Sequence, residues 1–248
     1  MSFSIKTSLK RIIILLILTI TGCIGLSLRI LSFGYLINFN RKYFFATSSK
    51  LILFIAGMKL VVPNENPIKG DNYLITFNHN SYLDLFALSA LGYTNMHFLL
   101  SERTIKFIPF TISALSIGVI YIPQKKHLER RMKFFHKLEE RITKEHLNIA
   151  GAPEGSHDWL NGIGSFNKGI FHMATICKQN IIPMFIYVPE ESNPLVKYQY
   201  FKRGTIKIEM LQMIDTQNWK LEDLESNKEF VRSIYVNKYN SIHNTNVI

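Results

Sequence analysis

The chain has 248 residues, 47% of them hydrophobic and 19% charged, with a formal net charge of +11 and a sequence pI near 9.6. That length supports one sizeable core or at most two small domains, and the apolar content excludes a disordered chain. The basic balance points to anionic partners, whether lipid surface, phosphorylated substrate or nucleic acid, while only two cysteines, Cys23 and Cys177, argue against a disulfide framework and suit a reducing compartment.

Residues 12–28 form a run without a charge, preceded by Lys6, Lys10 and Arg11 and closed by Arg29. The run is near the lower limit for crossing a bilayer, which takes ~20 residues. Snorkelling of Arg29 would let the helix continue toward Ile37. Residues 51–62 form a second apolar segment that carries only Lys59 and follows Arg41, Lys42 and Lys50, so it reads as lying in the membrane interface. Together they predict an N-terminal pair of membrane-associated helices over 1–62, ahead of a catalytic domain over 63–248. Ile20-Thr21-Gly22-Cys23 also matches a lipoprotein cleavage box. The chain stays apolar after Cys23, where a lipoprotein continues with a polar tether, so an uncleaved anchor is preferred. Positive flanks at both ends leave the orientation open.

Val62, Pro63, Asn64, Asn66 and Pro67 make a turn-rich linker. A strand over 73–77, a helix over 81–91 and a strand over 97–100 follow, and the alternation predicts an α/β domain. Residues 124–147 read as an amphipathic helix. Its core face is predicted from Leu128, Met132, Phe135, Leu138 and Ile142, and its other face carries Lys126, Arg130, Arg131, Lys133 and Lys137. Residues 171–177 form an apolar helical face, which makes Cys177 a core residue rather than a nucleophile. Residues 205–210 alternate as a strand, and 215–242 read as a polar terminal helix or tail.

The chemistry concentrates in Asn78-His79-Asn80-Ser81-Tyr82-Leu83-Asp84. A histidine at a strand's end, with an aspartate one helical turn into the next element, can form a base and its orienter and take a proton from a hydroxyl. Ser81 and Asp84 also match a helix capping box, which accounts for both of them but not for His79. A second segment, Ala152-Pro153-Glu154-Gly155-Ser156-His157, follows another strand end.

Together the two segments resemble the glycerolipid acyltransferase family, whose best-known members acylate 1-acyl-glycerol-3-phosphate. Residues 78–84 match the family's first motif, Asn-His-x-Ser-x-x-Asp, in full. Residues 152–157 match the Pro, Glu and Gly of its third, Phe-Pro-Glu-Gly-Thr-Arg. Gly118-Val119-Ile120-Tyr121-Ile122-Pro123-Gln124 is similar to the second, and the apolar-Pro-apolar run 181–186 to the fourth. Phe166-Asn167-Lys168-Gly169 resembles the Phe-x-Lys-Gly that follows the third. The resemblance covers about residues 40 to 220. It implies a mixed sheet flanked by helices and a transfer of a fatty acyl group from acyl-CoA or acyl-ACP to a lysophospholipid hydroxyl. No cofactor, metal or covalent acyl-enzyme is implied. His79 would be the base and Asp84 its orienter, with Glu154, Gly155, Ser156 and Lys168 toward the acceptor, and Gln124 and Lys125 beside it. The implied setting is the cytoplasmic face of a bacterial inner membrane. The sequence departs from the family at two positions, where Gln124 and His157 replace arginines thought to hold the acceptor phosphate. Neither offers the bidentate fork of arginine. Lys125, Lys126, Arg130 or Lys168 would have to substitute, or the acceptor is a headgroup-bearing lysolipid or another hydroxyl.

Other chemistries lack their marks. There is no Gly-x-Ser-x-Gly, no phosphate loop, no His-Glu-x-x-His and no cysteine pair. The non-enzyme alternative is a basic protein binding a membrane surface or nucleic acid. Glu129, Glu139, Glu140 and Glu145 interrupt the basic helix, and no aromatic-basic motif for RNA is present, so a lipid surface explains the charge better.

Overall fold

The computed structural model describes residues 5–63, 68, 70, 72–155, 162–193 and 202–244. Helix α1 (Ile5–Leu31) is followed by α2 (Ile37–Phe39), which runs through a π-helical segment, Asn40–Phe45, into α3 (Ala46–Ala56). Gly57 ends α3 at φ +87°, a left-handed conformation that favours glycine, and the chain turns directly into strand β1 (Met58–Val61). Then come β2 (Tyr73–Phe77), α4 (Asp84–Ser89), β3 (Met96–Ser101), α5 (Ile108–Ser116), β4 (Ile120–Ile122) and α6 (Leu128–Glu145). The last elements are β5 (Asn148–Gly151), α7 (Lys168–Cys177), β6 (Asn180–Tyr187), β7 (Gly204–Met210) and α8 (Leu224–Asn244).

The strands form one mixed sheet in the order β1-β7-β6-β2-β5-β3-β4. Only β6 and β7 pair antiparallel. The central strand β2 lies between β5 and β6 and is parallel to both. Its residues are apolar on both sides, as a strand covered on two faces requires. Ile75 and Phe77 point into a core built with Phe45, Leu53, Leu88 and Ala114 from α4, α5 and the segment through α3. Leu74 points into the opposite core, built with Ile142, Phe171 and Val231 from α6, α7 and α8. Because β2, β5, β3 and β4 are mutually parallel, their C-terminal ends share one edge of the sheet. In sheets of this kind ligands are met at that edge.

Several expectations change. The apolar segment 51–62 is not one interfacial helix: it is the end of α3 and then β1, which pairs in parallel with β7 from Met58↔Gly204 to Val61↔Lys207. The division at residue 62 therefore falls just after a strand of the sheet. The first helix is longer than its uncharged run, 27 residues, and is the one described helix long and apolar enough to cross a membrane. The Arg29 guanidinium donates to the Leu115 carbonyl at the end of α5. Along the same contact Gly22 and Gly25 face Ser113 and Ser116, and a Cβ on Gly22 would stand 2.7 Å from Ser113 Oγ. The Ser113 hydroxyl donates to the Leu18 carbonyl at 2.7 Å.

Helix α6 starts and ends inside its predicted bounds, and only the second half of its predicted core face is buried. Leu138 and Ile142 are in the core, but Leu128 and Met132 are each 65% exposed. The first turns of α6 leave these two side chains uncovered, so spacing alone overstated the buried stripe. The terminal segment is less polar in role than in composition. Tyr235 of α8 is fully buried, with its hydroxyl 2.8 Å from that of Thr76 on β2. Cys177 sits in the core, and burial pushes its thiol up to about 11, which suits a structural residue.

Candidate active site

At the C-terminal end of β2 the backbone leaves the sheet, and Asn78 continues the ladder with its side chain. Its amide group donates to the Ile186 carbonyl at 2.9 Å, and its oxygen accepts from the Ile186 amide at 2.7 Å. The next residues wrap around the Asp84 carboxylate. Asp84 Oδ2 accepts from the Ser81 amide at 2.9 Å, from the Asn80 amide at 3.1 Å and from His79 Nδ1 at 3.1 Å. Ser81 Oγ accepts from the Leu83 amide at 3.2 Å. Helix α4 begins only at Asp84, behind Leu83 and with no side-chain cap, and not at residue 81, so the Ser81–Asp84 bond braces the turn ahead of the helix and uses the same carboxylate as the base–orienter pair. The backbone donors hold it in place, and the imidazole completes it.

The electrostatics follow from burial. Asp84 is fully buried, while the His79 side chain keeps 29% of its exposure. Burial holds the Asp84 carboxyl above the ordinary carboxylate range, and its three donors act against that without cancelling it. For His79, burial acts downward, but the hydrogen bond and charge of Asp84, with the charge of Glu154 behind them, outweigh it and hold the imidazole above its ordinary 6.5. A carboxylate at Nδ1 fixes the proton there and leaves the lone pair on Nε2.

Glu154 follows β5, whose end neighbours that of β2 through the pair Thr76↔Gly151. That adjacency brings the two motifs together. Glu154 Oε1 accepts from the His79 amide at 3.1 Å, and Oε2 accepts from the Gly164 amide at 3.1 Å. Burial raises its carboxyl and the two amides act against that. Both oxygens thus brace backbone, tying the histidine loop to the loop over 162–167. Gly155 holds φ +70°, and a Cβ there would lie 2.6 Å from Asn167 Nδ2. That nitrogen donates to the carbonyls of Pro153 at 2.9 Å and Glu154 at 2.8 Å, closing the turn.

The structure gathers His79, Asp84, Glu154 and Gly155 within one hydrogen-bonded unit and places Gln124, Lys125 and Lys168 outside it. Gln124 and Lys125 follow β4, the edge strand, three strands from β2. The Gln124 amide donates to Glu102 Oε1 at 3.0 Å. Lys168 starts α7 and pairs with Glu225 of α8 at 2.8 Å, and Arg130 pairs with Glu102 at 3.0 Å. Ser156 and His157 lie outside the described residues. Sequence reasoning missed three supports. Asn167 was visible only as the variable position before Lys168. Asn193, whose amide group donates to the Asn80 carbonyl at 2.7 Å, had no signal. Arg232 of α8 donates to the carbonyls of Gly164 at 2.7 Å and Ile163 at 3.0 Å, and read only as part of a polar tail.

Residues 59–187, more than half of the chain, match the family described as Acyltransferase. The chain is 25% identical over 193 residues to a 1-acyl-sn-glycerol-3-phosphate acyltransferase of Saccharomyces cerevisiae, covering 75% of this chain and 61% of that protein. It is 24% identical over 151 residues to 1-acyl-sn-glycerol-3-phosphate acyltransferase beta of Homo sapiens, covering 61% of this chain and 54% of that protein. The match thus spans less than two thirds of the length of either relative. The fold is similar to the crystal structure of the 1-acyl-sn-glycerophosphate (LPA) acyltransferase PlsC from Thermotoga maritima. The TM-score is 0.67 over 94% of this chain and 98% of that one, at 17% identity, which establishes the likeness of fold.

Proposed function

We propose that this chain, which belongs to the acyltransferase family, moves a fatty acyl group from a thioester onto the free hydroxyl of a lysophospholipid. The observation that carries the reading is the His79 Nδ1–Asp84 Oδ2 contact of 3.1 Å at the end of the central strand, with Asp84 fully buried. An alcohol is a weak nucleophile at neutral pH and needs a base in contact. His79 Nε2 takes the hydroxyl proton as the oxygen attacks the thioester carbonyl. Asp84 stabilises the imidazolium that results. The tetrahedral adduct collapses by breaking the carbon–sulfur bond, and the imidazolium returns its proton to the leaving sulfur. The products are an ester and a thiol, so atoms and charge balance.

The names of the relatives favour 1-acyl-sn-glycerol-3-phosphate as acceptor and phosphatidic acid as product. One observation favours a second reading. Two of the cations that would replace the missing arginines, Lys168 and Arg130, are already paired with carboxylates. An acceptor whose phosphate carries a headgroup, as in lipid remodelling, asks less of them. The long apolar helix α1 is consistent with action at a membrane, and we place the catalytic domain on its cytoplasmic side, where acyl thioesters are found.

The test is acyl transfer by the detergent-solubilised protein, with labelled acyl thioester and a panel of lysolipids, beside His79→Ala. Product with lysophosphatidic acid that disappears in the variant supports the first reading. Product only with headgroup-bearing acceptors supports the second. Product undiminished in the variant refutes the assigned base.

A further inference from the structure

Residues 162–167, among which Gly164 hydrogen-bonds Glu154, have no regular secondary structure and include two glycines, Gly162 and Gly164. Glycine has more backbone freedom to lose than any other residue, so such a segment keeps one shape only when it is fastened from outside. Helix α8 fastens it at two points. Val231 and Tyr235 are fully buried, which fixes the helix to the core on either side of Arg232. The Tyr235 ring meets that of Phe166 edge-on at 5.6 Å, toward the far end of the segment. Arg232 takes the near end. Its Nε donates to the Gly164 carbonyl at 2.7 Å and its Nη2 to the Ile163 carbonyl at 3.0 Å. Two donors on a planar guanidinium fix two successive peptide groups at once, which the single ammonium of a lysine does not.

Gly164 is therefore held from both sides. Its carbonyl accepts from Arg232, and its amide donates to Glu154 Oε2 at 3.1 Å. Glu154 Oε1 in turn accepts from the His79 amide at 3.1 Å. One side chain of α8 is thus joined, through one residue's backbone and one carboxylate, to the main chain of the base. The ion pairs around Arg232 do not explain its place. Glu229 lies 3.6 Å from it and is shared with Lys228, and exposed pairs of this kind contribute little. The two carbonyls define where the guanidinium sits.

We propose that Arg232 is a positioning residue for the acyl transfer. By fixing the Ile163–Gly164 backbone it keeps Glu154 on the His79 amide, and so keeps the imidazole where an acceptor hydroxyl meets it. It acts through Glu154 and touches no reacting atom. The inference rests on the transfer reading above and adds α8 to the machinery of that reaction.

The full chain in detergent is compared with Arg232→Gln, Glu154→Gln, the double variant and the control Lys238→Gln, which breaks an ion pair of the same helix with Glu209 of β7. Hydrogen exchange is followed by mass spectrometry in peptides covering 162–167 and 78–81, and kcat and lysolipid KM are measured well below every melting point. Expected in Arg232→Gln is faster exchange in both segments, because one chain of bonds protects the Gly164 and His79 amides. kcat falls about 10–100-fold at unchanged lysolipid KM, the loss that goes with a base displaced by ~1 Å. Added to Glu154→Gln, the change lowers kcat little further, because the two residues act in series. The control alters neither kcat nor exchange at 78–81. Faster exchange confined to 162–167 overturns the proposal, as do losses in kcat that add in full. A kcat that stays near that of the unmodified enzyme while Tm falls also overturns it and leaves Arg232 a merely structural bond. Absence of transfer by the unmodified chain with every thioester and lysolipid defeats the transfer reading instead, and exchange at 78–81 then decides alone whether Arg232 holds the histidine loop. Should Arg232→Gln melt early, Arg232→Lys, which keeps the charge without the fork, carries the same measurements.

Discussion

Replacing Asp84 by asparagine separates the two jobs its carboxylate performs. Oδ2 takes three donors, from His79, Asn80 and Ser81, at 2.9 to 3.1 Å in a fully buried position. Hydrogen bonds to a charged group contribute ~1.5–3 kcal/mol and neutral ones ~0.5–1.5 kcal/mol. An asparagine of the same shape still offers an oxygen to the two backbone amides, each weakened by about 1 kcal/mol, so stability falls by about 2 kcal/mol. For a chain of this size that lowers Tm by roughly 4–8 °C. The effect on turnover is much larger. Losing the charge that stabilises the imidazolium reduces kcat by up to about 10⁴, even though the amide oxygen can still accept from His79 Nδ1. The assay is acyl transfer at a temperature well below both melting points, so that the folded fraction is near one in each protein. His79→Ala/Asp84→Asn should be no slower than His79→Ala alone, because a base and its orienter act as a unit. If Asp84→Asn stays within tenfold of the unmodified enzyme while its Tm drops as stated, the carboxylate only braces the turn over Asn80 and Ser81 and the pairing argument fails.

Three further outcomes follow from the same contacts. The acid limb of kcat/KM should rise with pH through an apparent pKa above 6.5, because Nε2 must be unprotonated and Asp84 and Glu154 raise the imidazole. In Asp84→Asn the limb of any residual activity moves to lower pH, and a limb unmoved by the change would show that another group titrates. Glu154→Gln turns an amide toward either the His79 or the Gly164 N–H, leaving a buried donor unsatisfied at a cost of about 1–3 kcal/mol. Tm and kcat should fall together with the lysolipid KM unchanged, whereas a KM effect at constant Tm would place Glu154 against the acceptor. Gly155→Ala forces a Cβ toward Asn167 Nδ2 at φ +70° and costs about 1–3 kcal/mol in backbone strain. Soluble yield and Tm report it, and a melting curve like that of the unmodified protein would mean the turn relaxes freely.

The parts of this fold legible in the sequence are those where local pattern and global role agree. The strand Tyr73–Phe77 matches its predicted bounds because an apolar run flanked by turn residues has no competing reading. His79 and Asp84 were legible because their pairing is local in sequence. What the sequence hid depends on contacts between distant elements. The segment 51–62 looked like one apolar helix because an αL glycine at residue 57 and a partner strand almost 150 residues downstream are invisible to a sliding window. Leu128 and Met132 followed the helical period but stay exposed, and periodicity carries no information about where the partner surface ends. Glu154 was assigned by resemblance to the acceptor pocket, and the geometry shows its oxygens engaged with main-chain amides. Asn167, Asn193 and Arg232 act through backbone carbonyls, which leave no residue-type signature at the far end of the bond.

The close seat of α1 on α5 has a mechanical corollary. Gly22 and Gly25 let the two helices approach until serine side chains fill the gap, and Ser113 and Arg29 fasten the contact at two levels. The long apolar helix is thus fastened to α5, which leads through Ile117, Gly118 and Val119 into β4 of the sheet. A bilayer thicker or thinner than the apolar length of α1 tilts it at a modest energy, on the order of fractions of a kcal/mol per Å. Were α1 seated in a bilayer, the same tilt would carry the sheet edge toward the headgroups or away from them. Membrane thickness would then enter the rate law as a variable of its own, and the protein reconstituted in short-chain and long-chain lipids would run at different speeds on identical substrates.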